Sequence, residues 1–177
     1  MKRGINTKCL HLEDEEGCFD NYGSLSYPIY QTATYAHPAV GESTGYDYSR
    51  LQNPTREHLE KIVAALEDGI DAIALSSGMA AITLLMEIFK PGDHVIVDSD
   101  LYGGSIRLFS NVSEKNNITF SRVDCHKEKV EDYITENTKA IYIETPTNPM
   151  MNVTDIEAMA KIAHERGLLL IVDNTFM

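Results

Sequence analysis

From Asn53 to Val172 the sequence alternates between two hydrophobic rhythms, and that alternation leaves few folds open. Asn53 suits a helix N-cap and Pro54 the first helical position. Leu59, Ile62, Val63 and Leu66 then recur at helical spacing, and Gly69 ends the run. Short apolar runs follow at intervals: DAIAL, HVIVD, ITFSRV, KAIYIET and LLLIV. Between them lie MAAITLLMEIF, stopped by Pro91-Gly92, then a helix starting near Ser105 after YGG. A polar helix follows ITFSRV, and the last is IEAMAKIAHERG, capped by Thr154 or Asp155. Five strands alternating with four helices predict parallel βαβ units. The strands are continuously apolar, which predicts an α/β architecture with a mostly parallel sheet and helices on both faces.

Residues 1–52 read differently. They are rich in Gly, Ser, Tyr and Pro and hold no sustained helical period, so they are expected to form an N-terminal arm that packs on something else. Residues 53–177 are expected to form the first part of a ligand-binding domain. A formal net charge of -12 argues against nucleic acid and anionic membranes as partners. No stretch approaches the roughly 20 apolar residues of a membrane span, and MKRGINTKCLHLEDEEG has no apolar run behind its early charges. Cys9, Cys18 and Cys125 are too few and scattered for a disulfide framework or a zinc site. Reduced thiols, no metal and a cytoplasmic protein are expected.

In an open α/β sheet, ligands bind beyond the carboxyl ends of the strands. Distinctive residues collect there: Ser76-Ser77-Gly78-Met79 after DAIAL, Tyr102-Gly103-Gly104 after HVIVD, Glu144 and Asn148 after the fourth run, and Asp173 after the fifth. Ser77-Gly78-Met79 opens a helix, where free N–H groups and the dipole suit a phosphate; the same residues also read as a small turn. Tyr102 suits stacking on a planar ligand, or a half-buried helix start. Asp173 suits a protonated heterocyclic nitrogen, or a cap. Asn148 suits a ring hydroxyl or a substrate carboxylate, or a turn before Pro149. Glu144 suits the orienting of its neighbours, or simple solvation. Neither GxGxxG after a strand nor GxxxxGK[ST] occurs. Phosphate cup, ring stacker, hydroxyl partner and pyridinium partner at one sheet edge together describe pyridoxal phosphate.

The ordered segments YDYSRLQNPTREHLEKIVAALE, ALSSGMAAI, DLYGGSIRLF, KAIYIETPTNP and LLIVDNTFM resemble the pyridoxal-phosphate enzymes of cysteine and methionine metabolism. The resemblance runs from about Tyr27 to Met177. It implies an aminotransferase-like (fold type I) large domain, here partial, with the arm crossing a dimer interface. It also implies a homodimer or homotetramer in which Tyr48 and Arg50 reach the cofactor phosphate of a neighbouring subunit. Ser77, Gly78 and Met79 resemble the phosphate cup. Tyr102 resembles the ring stacker that also works as acid and base, Asn148 the residue near the ring hydroxyl, and Asp173 the partner of the pyridine nitrogen. Thr175, in the same segment, resembles a cofactor-binding residue.

The implied reaction is elimination or replacement on a sulfur amino acid, of the cystathionine γ-synthase or γ-lyase type. An acylhomoserine sulfhydrylase or methionine γ-lyase is the alternative. Gly104 bears on the choice, because methionine γ-lyases typically carry cysteine directly after YG. The family's Schiff-base lysine follows a Ser/Thr-rich segment beyond VDNTF; Lys90 and Lys139 lie in no such setting. The chain is therefore expected to be an N-terminal fragment, inactive alone, with the cofactor absent or only phosphate or sulfate held at the Ser77 helix start. A different class also fits: a non-catalytic half-domain that binds a ligand or a partner.

Overall fold

Asn53 caps its helix as its position suggests. In the computed structural model, which describes residues 4–11 and 22–177, its side chain accepts the Thr55 N–H at 2.9 Å. It opens helix α2, Pro54–Leu66, with the short α1, Ile5–Lys8, preceding it. The stop differs in detail from expectation. Asp68, at φ 49, takes the left-handed position, and the Gly69 N–H returns to the Ala64 carbonyl at 2.8 Å. Cys18 lies outside the described residues; Cys9 and Cys125 are free thiols.

The chain packs as two compact units, Met1–Leu75 and Ser76–Met177. In the first, polar bonds hold residues 27–53 around α2. The Asn53 amide donates to the Tyr30 carbonyl at 3.1 Å and to Ser49 Oγ at 3.0 Å. The Tyr27 ring stacks on His58 at 3.9 Å, and the Tyr46 hydroxyl donates to Glu57. Residues 71–75, expected as the first strand, form none. A strand exists only through its ladder, and here the Ala74 N–H donates instead to Glu60 Oε1 at 2.8 Å. Ile73 and Leu75 stay exposed.

The second unit carries a four-stranded sheet: β1 His94–Asp98, β2 Thr119–Val123, β3 Thr138–Glu144 and β4 Leu169–Asp173. Its order is β2-β1-β3-β4 and all pairs are parallel. The helices are α3 Gly78–Met86, α4 Gly103–Leu108 and α5 Ile156–Glu165. Helix α4 begins two residues before Ser105 and passes into a π-helical turn, Phe109–Ser113. The polar helix expected after β2 reduces to a 3-10 turn, Val130–Tyr133. Val130 is buried there and Tyr133 and Ile134 pack partly against the core, an apolar stripe of a single turn that holds no longer helix.

Alternation within the central strands fills two cores. Val95, Val97, Ala140 and Tyr142 face α3 and the α4 turn, with Ile82, Met86 and Phe109. Ile96, Ile141 and Ile143 face α5, with Met159, Ala163 and Val123. Both faces are covered, as the unbroken apolar runs predict. Because all strands are parallel, their carboxyl ends share one edge.

Candidate functional site

Each strand end or helix start at that edge is fixed by local bonds. Ser77 caps α3, its Oγ accepting the Ala80 N–H at 3.1 Å. The Ala81 N–H bonds the Ser77 carbonyl. The amides of Gly78 and Met79 complete the first turn, where helical amides lack a partner within the helix. A Cβ on Gly78 would meet nothing within 4 Å. Packing of the chain therefore does not demand glycine there; its absence of a side chain leaves the helix start open.

Beside that start lies a cavity of about 310 Å³. Ser77, Gly78 and Met79 line it, together with Tyr102 and Asn148. Asp173 and Glu144 bring the acidic groups and Thr175 a hydroxyl, while Ile82 and Phe176 are apolar wall. The cavity thus gathers the Ser76–Met177 residues singled out from the sequence: Ser77, Gly78, Met79, Tyr102, Glu144, Asn148, Asp173 and Thr175. Tyr48 and Arg50 belong to the Met1–Leu75 unit, where the Arg50 guanidinium lies 5.2 Å from the Tyr48 ring centroid.

Glu144 is 2 % exposed. Its Oε2 accepts the Tyr102 N–H at 2.8 Å, which ties the end of β3 to the start of α4. Burial pushes its carboxyl above the usual range; the Tyr102 N–H opposes this, and the nearby Asp173 charge adds to it. Asp173 stands opposite Glu144 in the β3–β4 register. Its Oδ1 accepts from the Thr175 hydroxyl at 2.5 Å and the Thr175 N–H at 3.2 Å. Its Oδ2 accepts from the Tyr142 hydroxyl at 3.2 Å. The Asn148 loop is tied back through Thr147, whose hydroxyl donates to Asp100 and accepts the Asn152 N–H at 2.9 Å.

Gly104 has a packing reason. A Cβ there would fall 2.4 Å from Tyr102 Cε1 and 2.7 Å from Met79 Sδ. The missing side chain lets the Tyr102 ring lie against the α3 start. Sequence reasoning missed Ile82, Phe176 and Tyr142. For Tyr142 a signal existed: it lies two residues before Glu144, so a strand puts both on one face.

The cavity lining combines a helix start, with roughly half a positive charge, and the carboxyl groups of Glu144 and Asp173. It suits a ligand with an anionic group, a flat body and a protonated nitrogen, which are the features of pyridoxal phosphate. Among the described residues no group of three or more His, Cys, Asp or Glu side chains is placed to hold a metal ion. No helix among them is long and apolar enough to cross a membrane.

Comparison with known proteins supplies the context. The family described as Cys/Met metabolism PLP-dependent enzyme matches residues 6–177. The chain is 54% identical over 181 aligned positions to the cystathionine gamma-synthase/O-acetylhomoserine (thiol)-lyase of Bacillus subtilis, covering 99% of this chain and 47% of that protein. It is 53% identical over 155 positions to the cystathionine gamma-lyase of the same organism, covering 87% of this chain and 41% of that one. The crystal structure of cystathionine gamma-lyase from Lactobacillus plantarum complexed with L-serine superposes with a TM-score of 0.89 at 43% identity, covering 98% of this chain and 45% of that one. The chain spans less than half the length of each of these three.

Proposed function

Since the chain belongs to the pyridoxal-phosphate-dependent enzyme family of cysteine and methionine metabolism, we propose that its cavity is the cofactor side of an active site. The reaction is elimination or replacement on a sulfur amino acid, of the cystathionine γ-synthase or γ-lyase type. One observation carries this reading: the α3 start, Tyr102, Asn148 and Asp173 converge on a single cavity.

In this reading each residue would have a role toward the cofactor. The Gly78 and Met79 amides, with Ser77, bind the phosphate at the positive end of α3. Tyr102 would stack on the ring and would hold or move a proton at its phenol oxygen. Asp173, held by Thr175, pairs with the ring nitrogen and keeps it protonated. Asn148 donates to the ring hydroxyl or the substrate carboxylate. When bound, the cofactor supplies an electron sink for charge developing on the substrate carbon. The Gly78 and Asp173 sites are the fixed points that orient that ring.

Tyr48 and Arg50 are proposed to reach the phosphate of a neighbouring copy, so the protein assembles as a homodimer or homotetramer. The same reading places it in the cytoplasm, where the thiols of Cys9 and Cys125 stay reduced. Acylhomoserine sulfhydrylase chemistry is the second reading, favoured by the double name of the Bacillus subtilis relative.

Titrating the purified chain with pyridoxal phosphate, followed by tyrosine fluorescence, tests the reading. Saturable binding is expected. Asp173→Ala should weaken it at least roughly tenfold, since a charged hydrogen bond contributes about 1.5–3 kcal/mol. Equal affinity in the variant refutes the assignment. Among the described residues that line the cavity there is no lysine, so the 177-residue chain should show no sustained release of keto acid, ammonia or thiol from cystathionine.

A further inference from the structure

Beneath the Asp173 carboxylate lies a polar group to which none of these roles has been given, the phenol of Tyr142. The residue is 0% exposed and belongs to the core between the sheet and α3. Its ring meets Phe109 edge-on at 5.5 Å and 81°, and Phe109 stacks in turn on Phe120 at 4.9 Å. Its strand is paired on both sides, to β1 and to β4. A side chain so enclosed has one rotamer and one place for its hydroxyl. That hydroxyl donates to Asp173 Oδ2 over 3.2 Å. Burial first, then the Asp173 charge, raise the phenol far above its usual range, so it stays a donor across the whole working pH range.

We propose that Tyr142 is a positioning residue: from inside the core it sets the rotation of the Asp173 carboxylate, so that the carboxylate meets a protonated ring nitrogen in the cavity. The proposal rests on the pyridoxal-phosphate reading of that cavity. The terminal torsion of an aspartate is broad and roughly two-fold, so the strand backbone alone leaves the carboxylate free to turn. Donors on both oxygens remove that freedom: Thr175 holds Oδ1 and Tyr142 holds Oδ2. Each carboxylate oxygen has two lone pairs, and Tyr142 occupies only one on Oδ2. The oxygen remains able to accept from a ligand. A hydroxyl that donates does not compete for the ligand's proton, as a second carboxylate or an imidazole would. Strand β3 then has a double function, because Tyr142 and Glu144 project to one face. Glu144 fixes the backbone of Tyr102, and Tyr142 fixes Asp173.

The test compares three probes on the wild-type chain and on Tyr142→Phe: pyridoxal phosphate, its analogue with carbon in place of the ring nitrogen, and inorganic phosphate. The wild type should prefer the nitrogen-bearing ring. Tyr142→Phe should reduce that preference roughly threefold to tenfold, less than loss of the carboxylate itself, because Asp173 keeps its charge and loses only one orienting donor, with inorganic phosphate binding unchanged. A preference undiminished in the variant overturns the proposal while leaving the cavity's assignment intact. A wild-type chain that shows no preference for the nitrogen-bearing ring overturns the assignment and the proposal together. Should Tyr142→Phe fail to fold, the wild-type hydroxyl proton is the readout. Its slowly exchanging NMR resonance should move in Asp173→Asn, whose amide is a weaker acceptor than a carboxylate; an unmoved resonance overturns the link.

Discussion

Gly104→Ala separates the stability of this domain from the placement of its ring stacker. The added Cβ would stand 2.4 Å from Tyr102 Cε1, 3.0 Å from Tyr102 Cδ1 and 2.7 Å from Met79 Sδ. Carbon atoms do not approach that closely, so something moves. Met79 is a flexible thioether and yields easily. The Tyr102 backbone does not, because its N–H is held by the buried Glu144 carboxylate. The ring must therefore swing about its own torsions. Overpacking a core costs about 1–3 kcal/mol, but Tyr102 is 43% exposed and has solvent to turn into. About 1 kcal/mol is the reasonable figure here. Against it, alanine at the second residue of α4 recovers up to about 1 kcal/mol of helix propensity.

Those two effects nearly cancel, so the unfolding free energy of Gly104→Ala from urea denaturation should stay within about 1 kcal/mol of wild type. The ring displacement has nothing to cancel it. Stacking contributes about 0.5–1.5 kcal/mol, so affinity for pyridoxal phosphate should fall roughly threefold to tenfold. Fluorescence titration and urea unfolding on the same preparations provide both numbers. Unchanged affinity with a gain in stability would show that the Tyr102 ring does not depend on the space Gly104 leaves, and the reasoning fails.

Two further predictions concern buried titratable groups. Asp98 is 2% exposed; its Oδ1 accepts the Asp100 N–H at 3.1 Å while its Oδ2 is buried without a partner. Burial raises its carboxyl, so its contribution is fully present below the unfolded value of about 3.9 and is lost as pH rises through the folded value. Asp98→Asn should therefore be the more stable form at pH 7 by on the order of 1 kcal/mol; equal pH slopes of unfolding free energy in the two proteins would refute this. His94 is 6% exposed, its ring bonded to Thr138 Oγ1 at 2.8 Å and Ser121 Oγ at 3.0 Å. Burial depresses it, so its contribution is present above about 6.5 and is lost as pH falls through the folded value. Wild type should lose more stability between pH 7 and pH 5 than His94→Gln does, and an equal loss would count against the buried neutral ring.

The runs HVIVD, KAIYIET and LLLIV could be read as strands because each is apolar on both faces, and Ile96 and Val97 show why: one side chain enters each core. DAIAL has the same composition and forms no strand. Strand formation needs a partner ladder, and partnership is not a local property. The Asn53 cap is legible, and Asp155 is one of two candidates with Thr154, because a side-chain bond to the second or third amide depends only on neighbours in sequence; Ser77, legible as part of a helix start, caps by the same kind of bond. The turn after β2 is not legible. DCHKEKVEDYITEN has helical propensity, but without an apolar stripe longer than a single turn propensity alone does not hold a helix.

The cavity residues were legible for a geometric reason. In a parallel sheet every strand ends at the same edge, so Tyr102, Asn148 and Asp173 share that edge wherever their strands stand. What the alternation cannot specify is strand order. Only with β3 beside β4 does Glu144 come opposite Asp173, and only then does Tyr142, two residues earlier, send its hydroxyl to the Asp173 carboxylate. In sequence the spacing of two places Tyr142 on the Glu144 face of KAIYIE, but it does not say what the hydroxyl meets there. Once the order β2-β1-β3-β4 is known, the same residue cannot be only core. A buried phenol demands an acceptor, and the charged acceptor that its hydroxyl meets is the Asp173 carboxylate that lines the cavity.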